Sequence, residues 1–401
     1  NPGYHKIQYC SFKKFDGSGN DLGIEPIRIG LSTQADRISR SLVEYCYFTH
    51  CDGDGELISS KATQNVYRFN TFENNSKAEL VLRHGSEAIV YGNFFLNGKG
   101  GVRVREGQDH YIYNNYFYGL DDRAIYLQNE DSDPLDNINV AFNTIIKCAE
   151  VRLGGNGSDK PNNVTFANNI FSDPDQEIFE DATGTETWIS NIAFGNLGIS
   201  LPASGINMID PQLEENDQGY FGLSDTSPAI DAAASGYDLL PLFEGMEAID
   251  DEILFDLMGQ ARPAAVEERD LGCNEAPHEI PIQPIATEEN TGPSYNTSAI
   301  SNLNTEVLTV TDLMQIRQNP SSNLLQVDIF TTVASKLNLE VFSMKGRKVR
   351  SLENRTIPSG KTSLDQDIQD LPAGLYTLRA FVTSAQGGSK KTQILKFVKS
   401  Q

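Results

Sequence analysis

A short apolar strand followed by Asn-x-Phe, or a close variant of it, recurs through the first half of this 401-residue chain. No other feature constrains the fold as tightly. The repeat reads Tyr9-Cys10-Ser11-Phe12, Tyr45-Cys46-Tyr47-Phe48, Phe69-Asn70-Thr71-Phe72 and Gly92-Asn93-Phe94-Phe95. It continues as Asn114-Asn115-Tyr116-Phe117, Phe142-Asn143-Thr144-Ile145 and Asn168-Asn169-Ile170-Phe171. Counted on the last residue of each, the intervals are 36, 24, 23, 22, 28 and 26. A period in the twenties, built from strands too short to be helices, is that of one coil of a parallel β-helix. Stacked coils place the Phe residues in an inner apolar column. The Asn residues form a ladder at a bend, where left-handed backbone and side-chain-to-backbone bonding suit Asn. This column is read as fold rather than chemistry. A helical reading fails, because Gly and Asn interrupt the chain while Val, Ile, Tyr and Phe alternate with polar residues.

The repeat weakens after about residue 200. Ile209–Leu213 through Ser227–Asp231, and Asp256–Gln260 through Asp270–Glu275, read as irregular closing coils. A Pro, Glu, Thr and Ser-rich stretch follows with almost no apolar periodicity, and reads as a linker. From about residue 310 the runs Leu324–Phe330, Leu337–Phe342, Leu375–Val382 and Gln393–Val398 alternate apolar with polar residues between Gly, Pro and Asn turns. That is the pattern of a small β-sandwich. The chain is thus expected to be all-β: a right-handed parallel β-helix over 1–275, a linker over 276–309 and a second module over 310–401.

The net charge of −23, taken as a whole, argues against an acidic polymer as partner, but its distribution removes the conflict. Residues 1–105 carry 13 Lys and Arg against 11 Asp and Glu, and residues 301–401 carry 13 against 8. The acidic excess lies between them, and exposed charges are screened beyond about 8–10 Å. A neutral-to-basic stretch can therefore still meet a polyanion. Nothing resembles a nucleic-acid module: there is no zinc-finger spacing, basic helix or Arg-rich strip. The five cysteines (Cys10, Cys46, Cys51, Cys148, Cys273) make no tight metal pair, and are read mostly as small buried apolar residues. The opening Asn1-Pro2-Gly3-Tyr4 is already close to a strand-like segment and follows no basic-then-apolar leader, so the natural start is expected to lie upstream.

The unusual chemistry lies in residues 52–123. In Asp52-Gly53-Asp54-Gly55-Glu56 the carboxylates of Asp54 and Glu56 are two apart, so on a strand they face the same side. Carboxylates held together repel, and a hard divalent cation with oxygen ligands relieves them. Lys61 follows five residues after Glu56. Arg83, in Leu82-Arg83-His84-Gly85, lies 22 residues further on, about one coil, and coils stack about 4.8 Å apart. Lys61 and Arg83 are therefore expected side by side, with Arg83 lowering the pKa of Lys61 toward that of a general base. Arg103 and Arg105 add positive charge one coil later, and His110 and Arg123 extend the row. The plainer reading, basic residues exposed on a solenoid, stays open at this point.

Several ordered motifs then resemble one family. They are Glu25-Pro26-Ile27-Arg28-Ile29-Gly30, the Cys51–Lys61 stretch, Asn70-Thr71-Phe72, Leu82-Arg83-His84-Gly85, Gly92-Asn93-Phe94-Phe95 and Gly100-Gly101-Val102-Arg103-Val104. Together they are similar to the signature of polysaccharide lyase family 6, which contains alginate lyases and the dermatan-cleaving chondroitinase B. The resemblance spans about residues 1–275. It implies a secreted lyase that cleaves alginate, an anionic uronate polysaccharide, by calcium-assisted β-elimination to unsaturated oligosaccharides. By motif, Lys61 would be the base and Arg83 the acid. Asp54 and Glu56 would bind Ca2+, with Asn20 or Asp21 as third ligand, while His84 and Arg103 would contact substrate; Arg105, His110 and Arg123 are expected to bind it as members of the basic row. Asp54 stands where the family usually has Glu, and the family's early coils and leader are expected to precede Asn1. The C-terminal module resembles the sorting domain of type IX secretion through Gln318-Asn319-Pro320, Phe342-Ser343-Met344-Lys345-Gly346, Leu371–Tyr376 and the basic Lys390-Lys391. This implies export through that machinery, to the medium or the bacterial surface.

Three rivals remain: the same fold acting on dermatan sulfate, a pectin-type hydrolase, and a non-catalytic binding solenoid. The hydrolase is disfavoured by motif order, because His84-Gly85 precedes Asp121-Asp122 here.

Overall fold

A computed structural model describes residues 3–17, 23–129, 135–154, 160–246, 254–277, 281–295, 314–317, 321, 323–331, 334–343, 348–384 and 390–399. They fall into two compact units, Asn1–Leu303 and Asn304–Gln401.

The first unit is the parallel β-helix that the repeat predicts. Each full coil gives one strand to each of three sheets, as in Leu42–Glu44, Tyr47–Cys51 and Glu56–Ser60. Every strand pairs in parallel with its equivalent one coil on: Leu42 with Val66, Phe48 with Phe72, Ser60 with Leu82. Among the described residues the three sheets hold eight, nine and seven strands.

Inside, Phe12, Phe48, Phe72, Phe95 and Phe117 stack with ring centroids 4.7–4.8 Å apart. This is the strand-to-strand spacing of a sheet, so one aromatic per coil fills the core without a gap. Beside it runs the Asn ladder. Asn93 Nδ2 donates to Asn115 Oδ1 at 3.0 Å and to the Tyr67 carbonyl at 2.9 Å, and Asn115 repeats the pattern with Asn143 and Val90. The left-handed residue is not the ladder Asn, as the sequence suggested, but the one before it: Phe69 (φ 56°), Asn114 (φ 58°), Phe142 (φ 54°) and Asn168 (φ 57°). The turn must throw that side chain outward so that the next can point in. At Gly92 (φ 64°) the position is glycine, because a Cβ there would lie 2.8 Å from the Phe69 ring.

The segments expected as closing coils are not coils. After the last parallel strand, Ile206–Met208, the chain makes an antiparallel hairpin, Leu213–Glu215 with Phe221–Leu223. It then returns along the outside, where Ala229, Ala233, Leu240 and Leu271 cluster with Leu42, Val66, Ile89, Tyr113 and Phe142. Apolar side chains on the outer faces of these strands need cover, and irregular backbone can supply it. The expected linker is also partly structured. Ile282 is buried, Glu288 pairs with Lys13, and Tyr295 stacks on Tyr9 at 4.3 Å. All five cysteines are free, and burial pushes the thiols of Cys46, Cys51, Cys148 and Cys273 up to about 12.

Among its described residues the second unit holds two antiparallel sheets. One orders Met314–Ile316, Leu324–Thr331 and Gly360–Asp367; the other orders Lys348–Ile357, Ser335–Ser343, Gly374–Ser384 and Lys390–Lys399. Val327, Leu339, Val341, Leu378 and Phe397 belong to its core. Residues 318–320 and 344–346 of the sorting motif lie outside the described residues.

Candidate active site

The third sheet carries the candidate chemistry. In Val102–Val104 the two valines are buried while Arg103 between them is partly exposed, whereas Glu56–Ser60 and Glu79–Leu82 are buried throughout. Ser60 pairs with Leu82, and Leu82 with Val104. Lys61, Arg83 and Arg105 each follow one of these residues and so occupy one place in three successive coils. The spacing of 22 therefore does bring Lys61 and Arg83 together.

Lys61 is 9% exposed. Its pKa is lowered first by burial and then by the Arg83 guanidinium, against the opposing pull of Glu56. Arg83 Nη1 donates to Glu56 Oε1 at 2.8 Å, which fixes the guanidinium beside the lysine. The other carboxylate oxygen, Glu56 Oε2, is buried without a hydrogen-bond partner. Asp54 does not share a strand with Glu56, contrary to the sequence argument. It sits in the turn before Glu56–Ser60, where its carboxylate accepts the Gly23 N–H at 2.9 Å and the Gly55 N–H at 2.6 Å.

A buried carboxylate oxygen without a donor is costly unless a cation meets it, so Glu56 fits a hard divalent ion, whereas both Asp54 oxygens already accept backbone N–H groups. The two residues supply only part of a shell: among the described residues no group of three His, Cys, Asp or Glu converges as a metal site. Asn20 and Asp21, expected to complete it, lie outside the described residues.

The remaining residues separate. His84 turns to Glu106, with which it pairs. Arg103 lies over the Tyr126 ring at 5.3 Å, and Arg123 lies over the same ring at 4.1 Å while paired with Asp122 at 2.7 Å. His110 is not on this face. It is 1% exposed in the first sheet, its Nδ1 accepting the Ala88 N–H and its Nε2 facing the Glu106 carbonyl. Burial drives its pKa down to about 4. A neutral histidine spent on two backbone groups cannot reach a polymer, so the expectation for His110 fails.

The sequence reading assigned no role to Glu25, Arg28, Tyr126 or Arg152. Arg28 pairs with Ser59 across the coil and is bound by both Glu25 oxygens at 2.7 Å. Tyr126 and Arg152 continue the outward row from Arg103. Coil register would have found them, but it cannot be counted through coils of unequal length.

Residues 1–151 match the family model described as Chondroitinase B, and residues 318–396 match the secretion system C-terminal sorting domain. Over residues 1–151 the solenoid carries a chondroitinase B family-model domain. The sorting domain makes this a secreted or cell-surface bacterial protein. Among solved structures, the chain is similar to a point mutant of the PL6 family alginate lyase AlyGC, with 20% identity and a TM-score of 0.52 over 80% of this chain and 38% of that one. It is similar to AlyGC itself at 26% identity, over 56% and 33% of the two chains, with a TM-score of 0.49. A mannuronic acid specific polysaccharide family 6 lyase from human gut microbiota shows 28% identity over 48% of each chain, with a TM-score of 0.42. The chain thus spans between a third and a half of the length of these lyases. No curated protein matches it.

Proposed function

We propose that this β-helix is the catalytic part of a polysaccharide lyase that cleaves alginate by β-elimination, releasing unsaturated uronate oligosaccharides. The observation that carries the reading is the pair of neighbours Lys61 and Arg83, with Lys61 buried and its pKa lowered. Two adjacent cations are unfavourable as pure structure. They suit a site that must take a proton from a carbon and hold an anion at once.

β-Elimination removes the proton at C5 of a uronate and expels the group on C4. Lys61, in its neutral form, is the base for C5. Arg83, oriented by Glu56, donates hydrogen bonds to the C4 oxygen as negative charge develops there. A guanidinium holds its own proton tightly, so its contribution is electrostatic stabilisation, with the leaving oxygen protonated through water. Arg103 and Arg105 extend a cationic surface for further carboxylates of the polymer. Ca2+ held by Asp54 and Glu56 would neutralise the uronate carboxylate and so acidify the neighbouring C5 proton.

Alginate is preferred because the solved structures similar to this chain include alginate lyases. The match of residues 1–151 to the Chondroitinase B model favours dermatan sulfate as the second reading. The test follows ultraviolet absorbance of the unsaturated product on both polymers, with calcium or chelator, for wild type and Lys61→Ala. A calcium-dependent rise on alginate that the variant loses supports the proposal. A rise on dermatan sulfate alone changes the substrate. No rise on either, with the fold intact, favours a binding solenoid.

A further inference from the structure

The outward row of the third sheet changes sign along the solenoid. Two residues before the place that Lys61, Arg83 and Arg105 share, it runs from Arg103 to Tyr126, then Arg152, then Glu180, each paired in register with the next. Three guanidinium groups gather around the Tyr126 ring, with Arg103, Arg123 and Arg152 at 5.3, 4.1 and 5.6 Å. Beyond the ring the cationic surface is cancelled. Arg152 pairs with Glu180 at 3.0 Å and approaches Glu150 at 3.9 Å. Two carboxyl groups thus converge on Arg152, so this cation is spent on the protein's own side chains rather than offered to a polymer.

We propose that Glu150 and Glu180 form the end-stop of the polyanion track, fixing how many uronate units the protein grips on this side of Lys61 and Arg83. The inference rests on the functional reading above and deepens it. A uronate carboxylate arriving at Arg152 finds that cation already paired. It also meets like charge in a partly dehydrated setting, where such juxtaposition is strongly unfavourable. Crowding of the two acids is visible independently: burial, followed by the Glu180 carboxyl, raises the pKa of Glu150.

The experiment is calorimetric titration of the full chain, as Lys61→Ala to prevent cleavage, with purified uronate oligomers of increasing length. Affinity should rise with length and then level off. Adding Glu180→Gln, which keeps a hydrogen bond to Arg152, should move the plateau to longer oligomers, which gain about three- to tenfold while shorter ones do not change. Arg152→Ala alone should leave the original plateau in place, and combined with Glu180→Gln it should abolish the gain. Glu150→Gln gives a second, milder shift in the same direction, so a misfolded Glu180 variant does not decide the matter. An unchanged plateau in both Gln variants, with length-dependent binding retained, overturns the end-stop alone. Failure of the Lys61→Ala chain to bind any uronate oligomer overturns the functional reading and the end-stop with it.

Discussion

Lys61 and Arg83 occupy the same place in successive coils, each one residue beyond a strand position paired across the sheet, Ser60 and Leu82. Neither could be moved by one residue without reversing the face on which its side chain emerges. The parallel register, rather than a loop, therefore holds the proposed base against its neighbouring cation.

The first prediction concerns that pair. Lys61→Ala is expected to lower the elimination rate by roughly 10²–10⁴-fold, with the melting temperature little changed. In wild type the rate should rise with pH through an apparent pKa below the usual lysine value, because burial and Arg83 both favour the neutral amine. Arg83→Gln removes a nearby positive charge, so the rising limb should move to higher pH while the maximum rate falls. A limb that does not move would show that Arg83 does not tune the lysine.

Glu56 is expected to serve two partners, holding Arg83 through one oxygen and offering the other to a cation. Glu56→Gln should weaken calcium binding and also reduce the rate when calcium is saturating, because the Arg83 contact changes. Asp54→Asn should weaken calcium binding with less effect at saturation, since Asp54 is hydrogen-bonded to backbone rather than to Arg83. Calcium titration by calorimetry, followed by rates at saturating metal, separates the two.

The Asn ladder should respond sharply to substitution in its middle. Asn115 accepts from the backbone N–H and side-chain amide of Asn93, and donates to Val90 and Asn143. Asn115→Leu leaves these buried groups without partners, at a cost on the order of 3 kcal/mol or more. Chemical denaturation should show the loss, and Gln108→Leu, at an exposed position off the ladder, should show much less.

His110 makes stability pH-dependent. Its folded-state pKa of about 4 lies below the ordinary histidine value, because burial excludes the charged form. Between those values the unfolded chain binds the extra proton, so stability is full above about pH 6.5 and falls as pH drops toward 4, by roughly 3 kcal/mol. His110→Gln should flatten this part of the denaturation-versus-pH curve. An unchanged slope would assign the acid sensitivity to other groups.

The sequence by itself determined the repeating fold and the central pair of the candidate site. Asn-x-Phe recurs because every coil must fill the same column and satisfy the same bend, so the physical demand is periodic and shows as a period. The distance from Lys61 to Arg83 was legible for the same reason. Of the second unit's strands, those alternating around Val327, Leu339, Leu378 and Phe397 were visible. Lys348–Ile357 and Gly360–Asp367 were not, since they are largely exposed and their residues carry little apolar pattern. Tertiary structure decided what depends on exact register and on covering an outer face. It placed His110 in the core rather than in the basic row, put Asp54 in a turn, and gathered three arginines around Tyr126. It also laid the irregular segment after residue 223 along the first two sheets instead of continuing the coils. Coils of unequal length conceal register from a count along the chain, and an aperiodic segment takes its position from the surface it covers.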